Sequence, residues 1–78
     1  MNIKEKIGDR VRELRGIKEV SQEKLAELAS LDRTYISSVE KGKRNISIEN
    51  IEKISKALGY TLQEFFSSEF FNNKKSNK

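Results

Sequence analysis

Cysteine, histidine and proline are absent from this chain of 78 residues. A protein without cysteine forms no disulfide bond, and one without cysteine or histidine lacks the ligands of the usual zinc sites. The commonest general base of enzymes is missing as well. Carboxylates alone could still support catalysis, but the acidic residues lie three or four positions from lysines and arginines along predicted helices, a spacing typical of surface ion pairs. We therefore expect no enzymatic activity, no metal and no other cofactor.

Long apolar runs are also absent, and no segment approaches the ~20 residues that a membrane-spanning helix needs. The start of the chain, MNIKEKIGDR, is charged and lacks the apolar core of a signal peptide. We expect a soluble, cytoplasmic protein with no membrane contact and no small-molecule ligand.

Positive charge is in excess. The 16 lysines and arginines against 12 aspartates and glutamates give a net charge of +4, and the isoelectric point is about 9.5. This excess permits a polyanionic partner without requiring one. The length corresponds to one small domain, near the size at which a single hydrophobic core is only just sufficient.

The spacing of apolar residues predicts an all-α protein, a compact bundle of five helices. An apolar stripe of Ile3, Ile7, Val11 and Leu14 predicts a first helix over about residues 2–15. The predicted N-caps of the following four helices are, in order, Ser21, Asp32, Ser47 and Thr61.

The remaining helix boundaries follow from the same signals. The second helix runs from Gln22 to Ala29, the third begins at Arg33, and Gly59 ends the fourth. Glu64 completes a capping box at the start of the fifth.

One hydrophobic core is predicted, within a single domain over residues 1–71. The expected core residues are Ile7, Val11, Leu14, Val20, Leu25, Leu28, Leu31, Ile36, Val39, Ile48, Ile51, Ile54, Leu58 and Leu62. Residues 72–78 contain only asparagine, lysine and serine, so we expect a disordered tail there.

The stretch from Ser21 to Gly42 is the most informative part of the chain. It is predicted to form an amphipathic helix, a three-residue break and a second, mostly polar helix. In the second helix the inward side is defined by Ile36 and Val39. Thr34, Ser37, Ser38 and Lys41 point roughly the opposite way. Taken singly such residues are usually solvated surface, but together they form a slim face that can approach a nucleic-acid groove closely.

The segment SQEKLAELASLDRTYISSVEKGKRNIS resembles the helix-turn-helix of the phage-repressor-like (XRE-type) DNA-binding domains, which share the lambda-repressor-like fold. The resemblance extends over about residues 7–66. Within it, LDRTYIS followed by KRNIS resembles more narrowly the controller proteins of bacterial restriction–modification systems.

This resemblance implies a sequence-specific, dimeric transcription regulator. A controller protein would bind its own promoter region, activate at lower occupancy and repress when further sites fill, which delays endonuclease expression. Activation would need an exposed contact for RNA polymerase, which the sequence does not locate. The alternatives are a phage-type repressor, an antitoxin-like autorepressor or, in another class, a helical protein–protein adaptor that does not bind DNA.

The family match also implies which residues meet DNA. The expected base-reading residues are Arg33, Thr34, Ser37 and Ser38, of which Ser37 is the least clearly matched. The expected backbone contacts are Gln22, Tyr35, Lys43, Arg44 and Asn45. Arg33 could bind guanine in a bidentate fork or contact a phosphate instead. Arg44 could enter a narrow minor groove, and Tyr35 could reach a phosphate or be a half-buried core residue.

An ion pair and a dimer interface complete the expectations. In the family, an arginine late in the first helix pairs with a glutamate late in the third, which corresponds to Arg15 and Glu40. The C-terminal aromatic residues are bulky for one helix end, so we expect a two-fold dimer on an operator with two-fold-related half-sites. The expected interface residues are Leu62, Phe65, Phe66 and Phe70. Alternatively, one or two phenylalanines complete the core of a single chain.

Three positions depart from the family pattern. Glu19 and Ser30 stand where glycine is common, and Ile46 stands where proline is frequent. The first helix could end at Gly16 in a left-handed cap or continue for a few residues. If it continues, Glu19 has to adopt an unfavourable left-handed backbone.

Overall fold

The structure is a computed structural model that describes residues 1–72. The helices are α1 (Ile3–Lys18), α2 (Gln22–Ala29), α3 (Arg33–Glu40), α4 (Ile48–Ala57) and α5 (Leu62–Phe65), followed by a 3-10 helix (Glu69–Phe71). No β-strand occurs in the described residues, which confirms the all-α, five-helix prediction. The predicted disordered tail lies, except for Asn72, outside the described residues.

Side-chain caps fix where the helices begin. The N-caps predicted for α2 to α5 are all confirmed, because each accepts a hydrogen bond from a backbone N–H of the first turn. At α5 the Glu64 N–H donates to Thr61 Oγ1 at 3.0 Å, and the Thr61 N–H donates to Glu64 Oε1 at 2.9 Å. Asn2 and Glu5 form a second capping box at α1, so α1 begins one residue later than predicted.

One or two residues after each of the first four helices, the chain adopts a left-handed backbone conformation. Gly42 and Gly59 have φ of 72° and 84°, whereas Glu19 and Ser30 each have φ of 57°. The N–H group of the following residue then bonds a carbonyl five positions back, as in Val20 to Arg15 at 3.1 Å. This is the Schellman arrangement, for which glycine is the usual residue. The left-handed Glu19 is therefore confirmed, and the helix does not end at Gly16.

The core lies where α1 and α2 cross α3 and where α2 packs on α4. Most of the predicted core is buried: Ile7, Val11, Leu14, Leu25, Ile36, Val39, Ile51, Ile54 and Leu58. Val20, Leu31 and Leu62 are partly buried and pack against it.

Two predicted core residues are wrong, because Leu28 is 50% exposed and Ile48 is 73% exposed. Leu28 lies outside the inward face of α2, which is formed by Leu25, Ala26 and Ala29. Ile48 is the first residue of α4, at the end of that helix's buried stripe.

Candidate nucleic-acid interface

Helix α3 separates an apolar side from a polar one. Ile36 and Val39 are buried, while Arg33 and Thr34 are exposed and Ser38 is half-buried. Asp32 starts the helix by accepting a hydrogen bond from the Thr34 N–H at 3.1 Å. The side of α3 that carries the hydroxyl groups therefore faces away from the core, as its helical period predicted.

The cations around α3 have no acidic partner within the part of the chain that the structure describes. Within residues 1–72 the ion pairs do not include Arg33, Lys41, Lys43 or Arg44, all of which are exposed. Their charges remain uncompensated at the surface, where a polyanion could neutralise them.

The loop after α3 carries Lys43, Arg44 and Asn45, all exposed. Its two ends are fixed: Gly42 packs against Glu5 of α1, and Ile46 packs against the core. A Cβ atom at position 42 would lie 2.9 Å from Glu5 Cγ, so the loop leaves α3 at a point with no room for a side chain.

Tyr35 contacts α4 and the loop that follows α3. Its hydroxyl oxygen accepts a hydrogen bond from Asn50 Nδ2 at 3.0 Å, and the Arg44 Cζ atom lies 4.7 Å from the centre of its ring. The ring is half-buried and packs against the core. The half-buried ring agrees with one of the two expectations for Tyr35, and the phosphate contact of its hydroxyl stays a prediction.

Arg15 and Glu40 form an ion pair with two hydrogen bonds. Arg15 Nε donates to Glu40 Oε2 at 2.7 Å, and Arg15 Nη2 donates to Oε1 at 3.0 Å. The Glu40 side chain is 3% exposed and that of Arg15 is 19% exposed. Hydrogen bonding to Glu40 raises the pKa of Arg15 above its ordinary value, against the opposing effect of burial.

The same carboxylate holds the first residue of α2. Gln22 Nε2 donates to Glu40 Oε1 at 3.0 Å, and Arg15 Nη1 donates to the Val20 carbonyl at 2.9 Å. Gln22 has a second amide N–H and lies at a helix start, where backbone N–H groups face outward. One ion pair thus connects α1, the N-terminus of α2 and the C-terminus of α3.

Comparison with known proteins agrees with this geometry. The sequence profile of a family described as Helix-turn-helix matches residues 11–65. This chain belongs to the helix-turn-helix family. The resemblance inferred from its sequence is confirmed.

Curated relatives of this helix-turn-helix protein include restriction–modification control proteins. It is 52% identical over 67 residues to control protein C.MunI of Mycoplasma sp, covering 85% of this chain and 90% of that protein. It is 58% identical over 59 residues to control protein C.BamHI of Bacillus amyloliquefaciens, covering 74% of this chain and 73% of that one.

Similar solved structures include restriction–modification controller proteins as well. The controller protein C.AhdI from Aeromonas hydrophila superposes with a TM-score of 0.78 at 49% identity, covering 81% of this chain and 96% of that one. The controller protein C.Esp1396I, solved as a tetramer in complex with its natural 35 base-pair operator, superposes with a TM-score of 0.80 at 36% identity. That match covers 85% of this chain and 87% of the other. These relatives are regulators, in line with the expectation that the chain is not an enzyme.

Phe65 is not available to a partner. Its side chain is 0% exposed, so it belongs to the core of one chain, and its assignment to a dimer interface is wrong. It closes the end of the bundle, where its ring lies 5.1 Å from that of Phe66 and 6.4 Å from that of Phe71. Leu62 and Phe70 are half-buried, and Phe66 is 39% exposed.

Arg10 is a buried residue that the sequence reasoning missed. Its guanidinium donates to the carbonyl oxygens of Phe65 and Glu64, each at 2.7 Å, and to that of Ser67 at 3.2 Å. These carbonyl groups lie at and just after the end of α5, and that of Glu64 also accepts from the Ser67 N–H at 3.1 Å. Its position could have predicted this burial, because Arg10 lies three residues after Ile7 and four before Leu14, on the apolar side of α1.

An apolar groove lies between α1 and α4. It has a volume of about 180 Å³ and is lined by Ile3, Ile7, Ile46, Ile51 and Phe66, with Lys4 and Asn45 at its edge. Within this groove Ile3 is 58% exposed and Phe66 is 39% exposed. We call this surface the α1–α4 groove. Of the four residues that the sequence assigned to a dimer interface, only Phe66 lines this groove.

Other kinds of site are not seen in the part of the chain that the structure describes. Residues 1–72 contain no cluster of three or more acidic side chains arranged to hold a metal ion. No helix over the same residues has the length and apolarity to cross a membrane.

Proposed function

We propose that this chain is a sequence-specific, dimeric DNA-binding transcription regulator of the cytoplasm, the controller protein of a restriction–modification system. The observation that carries the proposal is the polar side of α3. Its first residues, Arg33 and Thr34, are exposed, Ser37 and Ser38 are half-buried, and the nearby cations form no ion pair within residues 1–72. Two kinds of relative support the narrower assignment: the curated control proteins and the controller solved on its operator.

Helix α3 would enter the major groove by its N-terminal end while α2 crosses the sugar–phosphate backbone. The base-reading residues would then be Arg33, Thr34, Ser37 and Ser38. Arg33 is the strongest of these, because a guanidinium can donate to guanine O6 and N7 together. The thin hydroxyl side chains allow the helix backbone to approach the base edges.

The phosphate contacts would come from both sides of α3. Gln22 lies at the start of α2, where free N–H groups and the helix dipole favour an anion. On the other side, Tyr35, Lys43, Arg44 and Asn45 would meet the backbone of the flanking strand. Such contacts supply affinity and register, whereas the contacts of α3 select the sequence.

Two chains would be needed to define a site, because one recognition helix reads only a few base pairs. A second copy of the chain would cover the α1–α4 groove, with Ile3 and Phe66 as its exposed apolar residues. Exposed apolar side chains at an apolar groove favour burial against another apolar surface. The two recognition helices would then face half-sites about 10 base pairs apart or at a multiple of that distance.

The test of DNA binding is a titration of labelled duplex at several salt concentrations, after selection of the preferred sequence from random duplexes. We expect the affinity for random duplex to fall steeply with salt, because bound cations replace counterions on phosphates. If no duplex binds even at low salt, the protein is a helical adaptor rather than a regulator.

The variant Arg33→Ala tests the base contact. It should weaken binding to the selected duplex by about 1–3 kcal/mol and leave binding to random duplex nearly unchanged. Lys43→Ala is the control, because loss of a phosphate contact weakens both duplexes alike. An equal loss on both duplexes for Arg33→Ala would assign Arg33 to the backbone.

A further inference from the structure

Tyr35 lies where three segments meet. The residue itself belongs to α3, the Arg44 guanidinium that covers its ring belongs to the loop after α3, and Asn50 belongs to α4. The backbone of Asn50 is fixed in the first turn of α4, because its N–H donates to the N-cap Ser47 Oγ at 3.1 Å. Its side chain is half-buried and does not lie on the recognition helix.

The direction of the Asn50–Tyr35 hydrogen bond matters for chemistry. The amide N–H of Asn50 donates and the phenol oxygen accepts, so the phenol proton remains available to a further acceptor. A phosphate oxygen is such an acceptor. Accepting one hydrogen bond also makes a hydroxyl a better donor of the next.

The Arg44 guanidinium is held by the same ring. At 4.7 Å from the ring centre it lies within cation–π distance, and it is exposed. Its charge has no acidic partner among residues 1–72. An arginine that is already oriented loses less side-chain freedom when it binds a phosphate.

We propose that Asn50 is a positioning residue for DNA binding. It acts through Tyr35 to orient a hydroxyl proton and the Arg44 guanidinium, and it does not touch DNA. This inference rests on the proposed function. It adds a residue of α4 to an interface otherwise built from α2, α3 and the loop after α3.

A double-mutant cycle on the selected duplex tests the inference. Asn50→Ala should weaken binding about five-fold, because a hydroxyl that is no longer oriented loses a hydrogen bond to phosphate worth roughly 1 kcal/mol. In a Tyr35→Phe background the same change should have no further effect, because the bond is already absent. An equal loss in both backgrounds, or no loss in either, would overturn the proposal.

Asn50→Asp tests the direction of the bond. The carboxylate would accept the phenol proton and so withdraw it from the phosphate. We expect a larger loss of affinity in the natural background than with Tyr35→Phe, where only the added negative charge acts. The same loss in both backgrounds would exclude a role for the hydroxyl.

An NMR measurement on the free protein distinguishes a local effect of these variants from unfolding. The Arg44 Hε signal should be shifted upfield by the Tyr35 ring in the free protein, less so in Asn50→Ala, and not in Tyr35→Leu. Absence of this shift in the unmodified chain would overturn the proposal. If that chain binds no duplex at low salt, the proposed function fails; if it binds and the cycle is additive, only the role of Asn50 fails.

Discussion

Glu40 shows how a single side chain links the elements of the interface. Its carboxylate is nearly inaccessible to solvent and accepts hydrogen bonds from Arg15 and Gln22. A buried ion pair gains little over an apolar pair, because removing two charges from water is costly. Losing only one partner is much worse, since the remaining charge has neither water nor a counterion.

Replacement of Arg15 by methionine should therefore lower the free energy of unfolding by about 3 kcal/mol. Urea denaturation measures the loss. The control is Lys24→Ala, which breaks an exposed pair with Glu27 and should cost less than about 1 kcal/mol. Similar losses for the two variants would mean that Glu40 is better solvated than its burial indicates. Since the pKa of Arg15 is raised, its charge contributes fully at neutral pH and is lost only in strongly alkaline solution.

The crossing of α1 and α3 depends on a residue without a side chain. Gly8 is buried in α1, and a Cβ atom there would overlap the carbonyl oxygen of Val39 and lie 3.0 Å from that of Glu40. These are backbone atoms, so neither can rotate away. The close approach also brings the end of α3 near Arg12, whose Nη1 donates to the Glu40 carbonyl at 3.1 Å.

A pair of glycine substitutions in α1 separates packing from helix propensity. Gly8→Ala should destabilise the protein by about 1–3 kcal/mol, because the extra methyl group forces α1 and α3 apart. Gly16→Ala should stabilise it by up to ~1 kcal/mol, because a Cβ there meets nothing within 4 Å and alanine favours the helix. Thermal unfolding compares the two. A stabilising Gly8→Ala would show that the crossing is looser than the structure.

At the ends of α1 and α2, residues with side chains adopt a backbone conformation that glycine would adopt at less cost. Glu19 and Ser30 adopt a left-handed conformation that costs a residue with a side chain about 1–2 kcal/mol. Each Schellman motif offsets this cost by pairing carbonyl groups at the helix end, as in the Leu31 N–H donating to the Ala26 carbonyl at 2.8 Å. The family's glycine is thus preferred at these positions but not required.

The proposed dimer depends on a surface formed by several segments of the chain. The α1–α4 groove collects residues from both ends of the sequence, Ile3 and Phe66 among them. Because Phe65 is inside the core, the C-terminal aromatics contribute less to this surface than their number suggests. A second copy that covered the groove would remove the exposed side chains of Ile3 and Phe66 from water.

Two matched substitutions on α1 test this dimer. Ile3→Lys should weaken dimerisation about ten-fold or more, because an apolar side chain at the interface contributes ~1.5 kcal/mol or more when buried. Ile17→Lys is the control, since Ile17 is 61% exposed, close to the 58% of Ile3, but does not line the groove. Sedimentation equilibrium measures both constants. Equal effects, or no dimer of the unmodified chain, would exclude this interface.

Local signals in the sequence were sufficient for the helices and for the side of α3 that is exposed. Ser21, Asp32, Ser47 and Thr61 mark helix starts because a capping side chain acts on its own first turn. The pair Ile36 and Val39 likewise orients α3, because helical period alone decides which residues share a face. The pairing of Arg15 with Glu40 came from family resemblance, since no local rule relates positions so far apart.

Long-range packing decided what local patterns leave open. Apolar character alone suggested that Leu28 and Ile48 are inside and Phe65 outside, but burial depends on which neighbour covers a side chain. Other features likewise exist only where distant segments meet. They are the burial of Arg10, the close approach of backbone at Gly8, and the contacts of Tyr35 with Arg44 and Asn50. The sequence therefore determined the helices and the polar face of α3, because those depend on neighbours along the chain. The tertiary structure decided the core boundary and the support of the interface, because those depend on neighbours in space.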